Sequence, residues 1–269
     1  MLKKYLLCGA ICLSTLSFAK YEPWNFNLLE VGIIKNNSLP NGFGPSVKDT
    51  VFEIQGTTRY NLLDLYWFVD RSNIFNSNSL SDKKNDDSNY TYLEFNPRVS
   101  MDGLFNKNLS VGPINEWFFS YNFDYDNTYG IYKGLKKHYF GIGNYINVPG
   151  FDYFKTNIYK RFIEKNYSRN ENNWDGYMFN SSYGATLYKF NNGMKFTFSG
   201  WMDYVFGAKK IQSYDTSSSL QWQNQVRLFF NDNISLSYTY QINKHFSEVN
   251  QFSSNRNQSA IGLHYSIIF

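Results

Sequence analysis

From residue 26 to the end of the chain, apolar and polar side chains alternate in one stretch after another. "NISLSYTYQIN" (233–243) is the cleanest, with Ile234, Leu236, Tyr238, Tyr240 and Ile242 against Ser235, Ser237, Thr239, Gln241 and Asn243. Successive side chains of a strand point to opposite faces, so each such stretch has one apolar side and one wet side. In "TYLEFNPRVSMD" (91–102) the apolar face is Leu93, Phe95, Pro97, Val99 and Met101. In "INEWFFSYNFDYD" (114–126), Trp117, Phe119, Tyr121, Phe123 and Tyr125 oppose Glu116, Phe118, Ser120, Asn122 and Asp124. "LLDLYWFVDR" (62–71) sets Leu63, Leu65, Trp67 and Val69 against Asp64, Tyr66, Phe68 and Asp70. The pattern predicts strands near 26–35, 48–60, 62–72, 90–102, 114–126, 136–147, 152–164, 174–188, 194–206, 216–230, 233–245 and 258–269. Alternation is least clear in the first, sixth and eighth. Helical periodicity is not sustained in any of these stretches.

Alternation alone does not say which face is the core. The chain is 20% aromatic, yet its mean hydropathy is −0.48. After the amino-terminal segment, no apolar run approaches the ~20 residues a membrane helix needs. A closed barrel is then the one way to span lipid. The rival is a secreted β-sandwich or lipocalin-like barrel, with its apolar faces turned inward. Its core would have to hold Glu53, Arg59, Asp64, Glu94, Arg98, Glu116, Arg161, Asp203 and Arg227, which share the polar phase, and unpaired charges are expelled from cores. Tyr and Trp near the strand ends suit interfacial girdles, and short links (60–61, 189–193, 231–232) alternate with long polar ones (36–47, 72–89, 246–257), as periplasmic turns alternate with extracellular loops. The link 103–113 is longer than a turn requires. The expectation is an all-β, 12-stranded antiparallel transmembrane β-barrel of the bacterial outer membrane, over residues 20–269. Run "SDKKNDDSN" (81–89) reads as a solvated loop tip.

The first nineteen residues read as a signal peptide. MLKK supplies the positive region, residues 5–16 the apolar stretch, and Ser17-Phe18-Ala19 the small-x-small end. Both cysteines, Cys8 and Cys12, fall inside it, which leaves no disulfide framework, thiolate metal site or cysteine nucleophile beyond it. Without Lys3 and Lys4, 24 basic residues stand against 22 acidic ones, a balance unlike that of a protein for polymeric nucleic acid. His138, His245 and His264 belong to no recognisable nucleophile–base pair, and no H-E-x-x-H occurs. Gly141-Ile142-Gly143 lacks a dinucleotide loop's further glycine and its strand-to-helix setting. Neither catalysis, cofactor nor metal is expected.

Twelve strands leave a narrower lumen than the sixteen to eighteen of general porins. The inward phase carries Tyr66, Phe68, Tyr92, Phe118, Tyr153, Tyr159 and Trp201 among its charges. Rings in a wall suit a solute with a flat apolar face: stacking a base on an aromatic ring is worth about 1–3 kcal/mol. Equally, some of these rings could simply fill a tight lumen or sit at a rim.

Three segments resemble the Tsx family of nucleoside-specific outer-membrane channels: "FGPSVKDTVFEIQGTTRYNLLDLYWFVD" (43–70), "LEFNPRVSMDGLFNKNLSVGPINEWFFSYNFDYD" (93–126) and "NENNWDGYMF" (170–179). In order they carry F-G-P, D-T-x-x-E, D-x-Y-x-x-x-D, E-x-x-P-R-x-S-x-D, G-P-x-x-E-W-[FY]-F and N-E-N-x-W-D-G-Y. The resemblance implies a monomeric barrel that passes nucleosides and deoxynucleosides by diffusion, without energy coupling, in a Gram-negative outer membrane. On that resemblance Phe43 and Gly44 lie on the solute path, and Glu53, Asp64, Asp70, Glu94, Arg98 and Glu116 hold motif positions of the inward phase. Asn157 and Tyr159 match an N-x-Y strand, with Arg161 where the family places a basic residue. The expected substrate contacts are therefore Phe43, Gly44, Glu53, Asp64, Tyr66, Phe68, Glu94, Arg98, Glu116, Phe118, Asn157, Tyr159, Arg161, Trp201 and Asp203. Met178, Asn180 and Ser182 stand where the family tends to place inward basic residues. Other readings of the same barrel are a general small-solute porin and a surface adhesin whose loops dock phage or bacteriocins.

Overall fold

A computed structural model describes residues 25–79, 90–127, 134–167 and 169–269. The signal peptide and the run 81–89 lie outside these residues. Twelve antiparallel strands close into a barrel in which each pairs with its sequence neighbours and the first pairs with the last. They are β1 (Phe26–Leu39), β2 (Val47–Tyr60), β3 (Leu63–Arg71), β4 (Thr91–Ser100), β5 (Ile114–Asp126), β6 (Leu135–Ile146), β7 (Tyr153–Asn166), β8 (Asn173–Lys189), β9 (Lys195–Phe206), β10 (Ser218–Phe229), β11 (Ile234–Lys244) and β12 (Gln258–Ile268). Closure pairs Leu28 with Ile268 through to Asn36 with Ala260, so no sheet edge is left unpaired.

The faces are inverted relative to a soluble protein. Along β11, Ile234, Leu236, Tyr238 and Tyr240 are exposed, while Ser235, Ser237, Thr239 and Gln241 are buried. In β12, Ile261, Leu263, Tyr265 and Ile267 are exposed, and Ala260, His264 and Ser266 are buried. The apolar face is the outside of the barrel, where the solvent is lipid. A buried polar side chain therefore belongs to the lumen wall unless its strand phase places it outward. Asn224 on the outer face has its side-chain oxygen satisfied by Tyr183 Oη at 2.7 Å, as a lipid-facing amide must.

Most strand bounds lie within two residues of the sequence reading, and two departures matter most. β1 runs four residues further, to Leu39, over an irregularity between Asn36 and Leu39. β4 stops at Ser100, and Met101 and Asp102, which continue its alternation, open instead a one-turn helix α1 (Met101–Phe105). Ser100 Oγ accepts the Gly103 N–H at 3.0 Å as its cap. Asp102 then takes the N–H groups of Leu109 (2.8 Å) and Trp117 (3.0 Å). That clamp accounts for the length of the link 103–113: it is a folded cover at the end where β1 begins, β12 ends and the tight turns lie, the periplasmic end.

Candidate solute path through the lumen

At the periplasmic end the lumen wall is a lattice of ion pairs. Arg59 donates to Glu116 at 2.5 Å, and Arg98 pairs closely with Asp64, its register partner. Asp64 also takes Tyr145 Oη at 2.7 Å and Lys155 Nζ at 3.4 Å. Strand pleating explains the gathering: Arg59, Asp64, Arg98 and Glu116 sit in one phase near the same ends of β2, β3, β4 and β5. Phe118 is fully buried in this lattice. Arg98 lies 4.4 Å and Arg59 5.1 Å from its ring centre, with Tyr145 against its edge. The ring expected to stack on a solute is here occupied by two guanidinium groups, a cation–π arrangement that orients both.

On the other side of the periplasmic end, Glu30 receives Gln55 Nε2 (2.7 Å), Arg227 Nη1 (2.7 Å) and Ser266 Oγ (2.6 Å). Tyr66 Oη donates to Gln55 at 3.1 Å, which ties the aromatic wall to this group. Glu53 lies opposite Asp70 in the β2–β3 register and near Glu30.

The middle of the lumen joins an aromatic strip to a chain of amides. Tyr66, Phe68 and Tyr92 follow one another up the inner face of β3 and β4, with ring centres 6.0 and 5.6 Å apart. Asn96, the register partner of Tyr66, donates to Tyr159 Oη at 3.1 Å. Tyr159 meets Ser120 at 2.7 Å, and Ser120 donates to Asn157 at 2.9 Å. From there the chain continues through Asn157 to Asn180 (2.8 Å) and from Asn180 to Asp203 (2.7 Å). Asn157 lies this close to β6 because Gly143 faces it; a Cβ there would stand 2.1 Å from its amide oxygen. Asn180, one of the three positions without the expected basic residue, is thus the relay between β7 and β9. Asp124 accepts from Tyr139 Oη at 2.6 Å, and its register partner is Glu94. Trp201 lies in the inward phase of β9, between Ser182 and Gln223 in register.

Described loop residues reach into the extracellular end. Glu248 is carried by a short turn (Phe246–Glu248) in the β11–β12 loop and reaches down to Arg161 at 2.8 Å and Lys137 at 3.5 Å. His245, Ser247 and Glu248 all take left-handed backbone angles, φ 55°, 58° and 55°, a conformation that costs non-glycine residues about 1–3 kcal/mol each. Arg161 and Lys137 compensate. Burial opposes the charge of Glu248, but Arg161, Lys137 and Arg169 outweigh it and hold the carboxyl down at about 2. Arg169 binds Asp215 at 2.6 Å and stands over Phe43, 5.2 Å from its ring centre, while Tyr167 meets Phe43 edge-on at 5.8 Å. Gly44 gives its carbonyl to Ser253 Oγ at 2.9 Å, joining the first and last extracellular loops.

Of the fifteen expected contacts, Phe43, Gly44 and Arg161 thus belong to the mouth. Tyr66, Phe68, Glu94, Asn157, Tyr159, Trp201 and Asp203 belong to the middle, while Asp64, Arg98, Glu116 and Phe118 belong to the periplasmic lattice. Glu53 stands apart from them, in the group around Glu30. Sequence reasoning missed Glu30, Lys137, Tyr145, Lys155, Arg169 and Glu248. β6 hides its inward residues because Gly141 and Gly143 interrupt the polar phase between Tyr139 and Tyr145. Nothing local marks Glu248 as an inward loop residue.

The family described as "Nucleoside-specific channel-forming protein, Tsx" matches residues 33–269. The chain belongs to this family. It is 32% identical over 171 residues to "Outer membrane protein OmpK" of Vibrio parahaemolyticus serotype O3:K6 (strain RIMD 2210633), covering 62% of this chain and 60% of that protein. It is 33% identical over 147 residues to "Nucleoside-specific channel-forming protein Tsx" of Klebsiella aerogenes, covering 54% and 50%. The protein of that same name from Escherichia coli O157:H7 is 29% identical over 168 residues, covering 62% and 57%. The chain thus spans between half and three fifths of the length of these relatives. A channel-forming family is not an enzyme family, and this barrel is a protein of the Gram-negative outer membrane.

Proposed function

We propose that this barrel lets nucleosides and deoxynucleosides diffuse passively into the periplasm. The observation that carries this reading is the junction at Asn96, where the Tyr66–Phe68–Tyr92 strip meets the Tyr159–Ser120–Asn157–Asn180–Asp203 chain. A nucleoside has the matching halves: a flat base to stack and ribose hydroxyls and base edges to hydrogen-bond. Stacking offers about 1–3 kcal/mol per base, and a channel needs its contacts individually weak and repeated so that the solute also leaves. In this reading Phe43 and Gly44 receive the solute at the mouth, and Tyr66, Phe68 and Trp201 offer stacking faces. Asn157, Tyr159, Asp203 and Glu94 bond it in the middle. Arg161 above and Asp64, Arg98, Glu53 and Glu116 below set the field at the two ends, with Phe118 holding Arg98 and Arg59 in place. The working unit is a single chain in outer-membrane lipid, and docking of phage or bacteriocins would fall to the extracellular loops. Liposome swelling tests the reading: uridine and thymidine should enter faster than hexoses, and Phe68→Ala should lower that preference by several-fold. Equal rates for all these solutes would make the barrel a general small-solute porin.

A further inference from the structure

Glu30 on β1, Glu53 on β2 and His264 on β12 each bring a ligand atom within 4.8 Å of the others, at the seam where the first and last strands pair. The imidazole is built into the wall. A Cβ at Gly32 would stand 2.8 Å from its Nδ1, and one at Gly262 2.5 Å from its Nε2, so glycines on β1 and β12 make the slot the ring fills. Its side chain has no exposed surface. Nε2 lies 2.8 Å from Ser237 Oγ, which can pass its own proton towards the Gly262 carbonyl at 3.5 Å. With Nε2–H donating to Ser237, the Nδ1 lone pair faces a carboxylate. Nδ1 makes no hydrogen bond and stops 3.1 Å from Glu30 Oε1. Atoms at that distance are joined either by a proton on Nδ1 or by a metal ion between them. Asp70, the register partner of Glu53, adds a buried Oδ1 that also makes no hydrogen bond. Glu30 Oε2 is fixed from behind by Arg227 (2.7 Å) and Ser266 (2.6 Å), as ligating carboxylates usually are.

We propose that His264 Nδ1, Glu30 Oε1 and Glu53, with Asp70 in reach, bind a divalent transition-metal ion of the zinc type. One imidazole nitrogen among carboxylates suits a borderline ion; calcium and magnesium take oxygen alone. Arg227 balances one of the acids, and the ion balances the charge of Glu53 and Asp70. Bound there, it ties β12 to β1 and β2 across the closing seam, and it reaches the site from the lumen. This inference requires no particular substrate, and it shares only Glu53 with the solute reading.

The test is equilibrium dialysis of the refolded full chain against zinc alone, with bound metal counted by mass spectrometry. One zinc per chain is expected, with affinity at least ~10-fold weaker in His264→Gln and in Glu53→Gln, and unchanged in His138→Gln, which alters a histidine on the outer face. Should either lumen variant fail to fold, nitrogen NMR of the wild-type chain decides: zinc should shift the His264 Nδ1 resonance. Absence of stoichiometric zinc, zinc bound equally by His264→Gln, or a His264 ring that is a plain imidazolium indifferent to zinc would each overturn the proposal.

Discussion

The two ends of the lumen are held by ion pairs of different origin. At the periplasmic end every partner rides on a strand: Arg59, Asp64, Arg98, Glu116 and Lys155 are fixed by register and pleat. At the extracellular end each pair draws on a loop: Glu248 against strand-borne Arg161 and Lys137, and Asp215 against Arg169, both of them loop residues. A strand-borne pair can be undone only at the cost of the barrel. A loop-borne pair held over left-handed backbone can be undone locally, because its loop can leave without unzipping a strand. One end is therefore frame, and the other is latch.

The largest effect should come from breaking the frame. Asp64→Asn leaves Arg98 and Lys155 in a buried wall without their acid, and removing one partner of such a pair costs about 3–5 kcal/mol. The urea midpoint of folding in lipid vesicles should fall accordingly; an unchanged midpoint would mean that the lattice contributes nothing to the frame. Breaking the latch should cost the barrel much less. Glu248→Gln should leave the urea midpoint nearly in place while protease cuts the 245–257 loop more readily. Equal protection of both chains would contradict the distinction between the two ends.

Acid should open the same latch in the wild-type chain. Glu248 sits at about 2 in the folded protein, below its ordinary value near 4.5, so its contribution is complete above about 4.5 and is lost as pH falls towards 2. Channel conductance should shift over that window in the wild type, and the same shift should be absent in Glu248→Gln. The smallest effect belongs outside the barrel. Lys136 and His138 meet Glu164 on the outer face at 3.2 Å each, with the acid more than a third exposed. Glu164→Gln should change stability by less than about 1 kcal/mol and leave conductance alone.

The same division governs what the sequence disclosed. Period-two alternation carried the strands and the inverted faces, because lipid on one side and water on the other impose it on every strand. It ended where alternation and strand part company, at Met101 and Asp102, whose polarity continues the pattern of β4 although Ser100 caps a helix there. Frame residues such as Asp64 and Arg98 were legible from phase. Glu248 was not, since a loop has no phase to read. The shared motifs divide likewise. Within E-x-x-P-R-x-S-x-D, Arg98 faces the lumen, but Ser100 and Asp102 are clamps of the periplasmic cover. Asp49 of D-T-x-x-E accepts from Asn73 and Asn78 and so fixes the loop after β3. In N-E-N-x-W-D-G-Y, Glu171 takes the Asn166 N–H and Asp175 that of Lys209. A motif therefore marks the family without saying which of its residues touch a solute.

The most direct test of the account is single-channel conductance of the refolded barrel in a planar bilayer, titrated first with thymidine and then with ribose. Reversible, saturable block by thymidine and none by ribose is the predicted result. It should weaken when Phe68 is replaced by alanine, because the aromatic strip supplies the stacking half of the recognition. Conductance indifferent to both solutes, from a barrel that is folded and open, would contradict a nucleoside path along that strip.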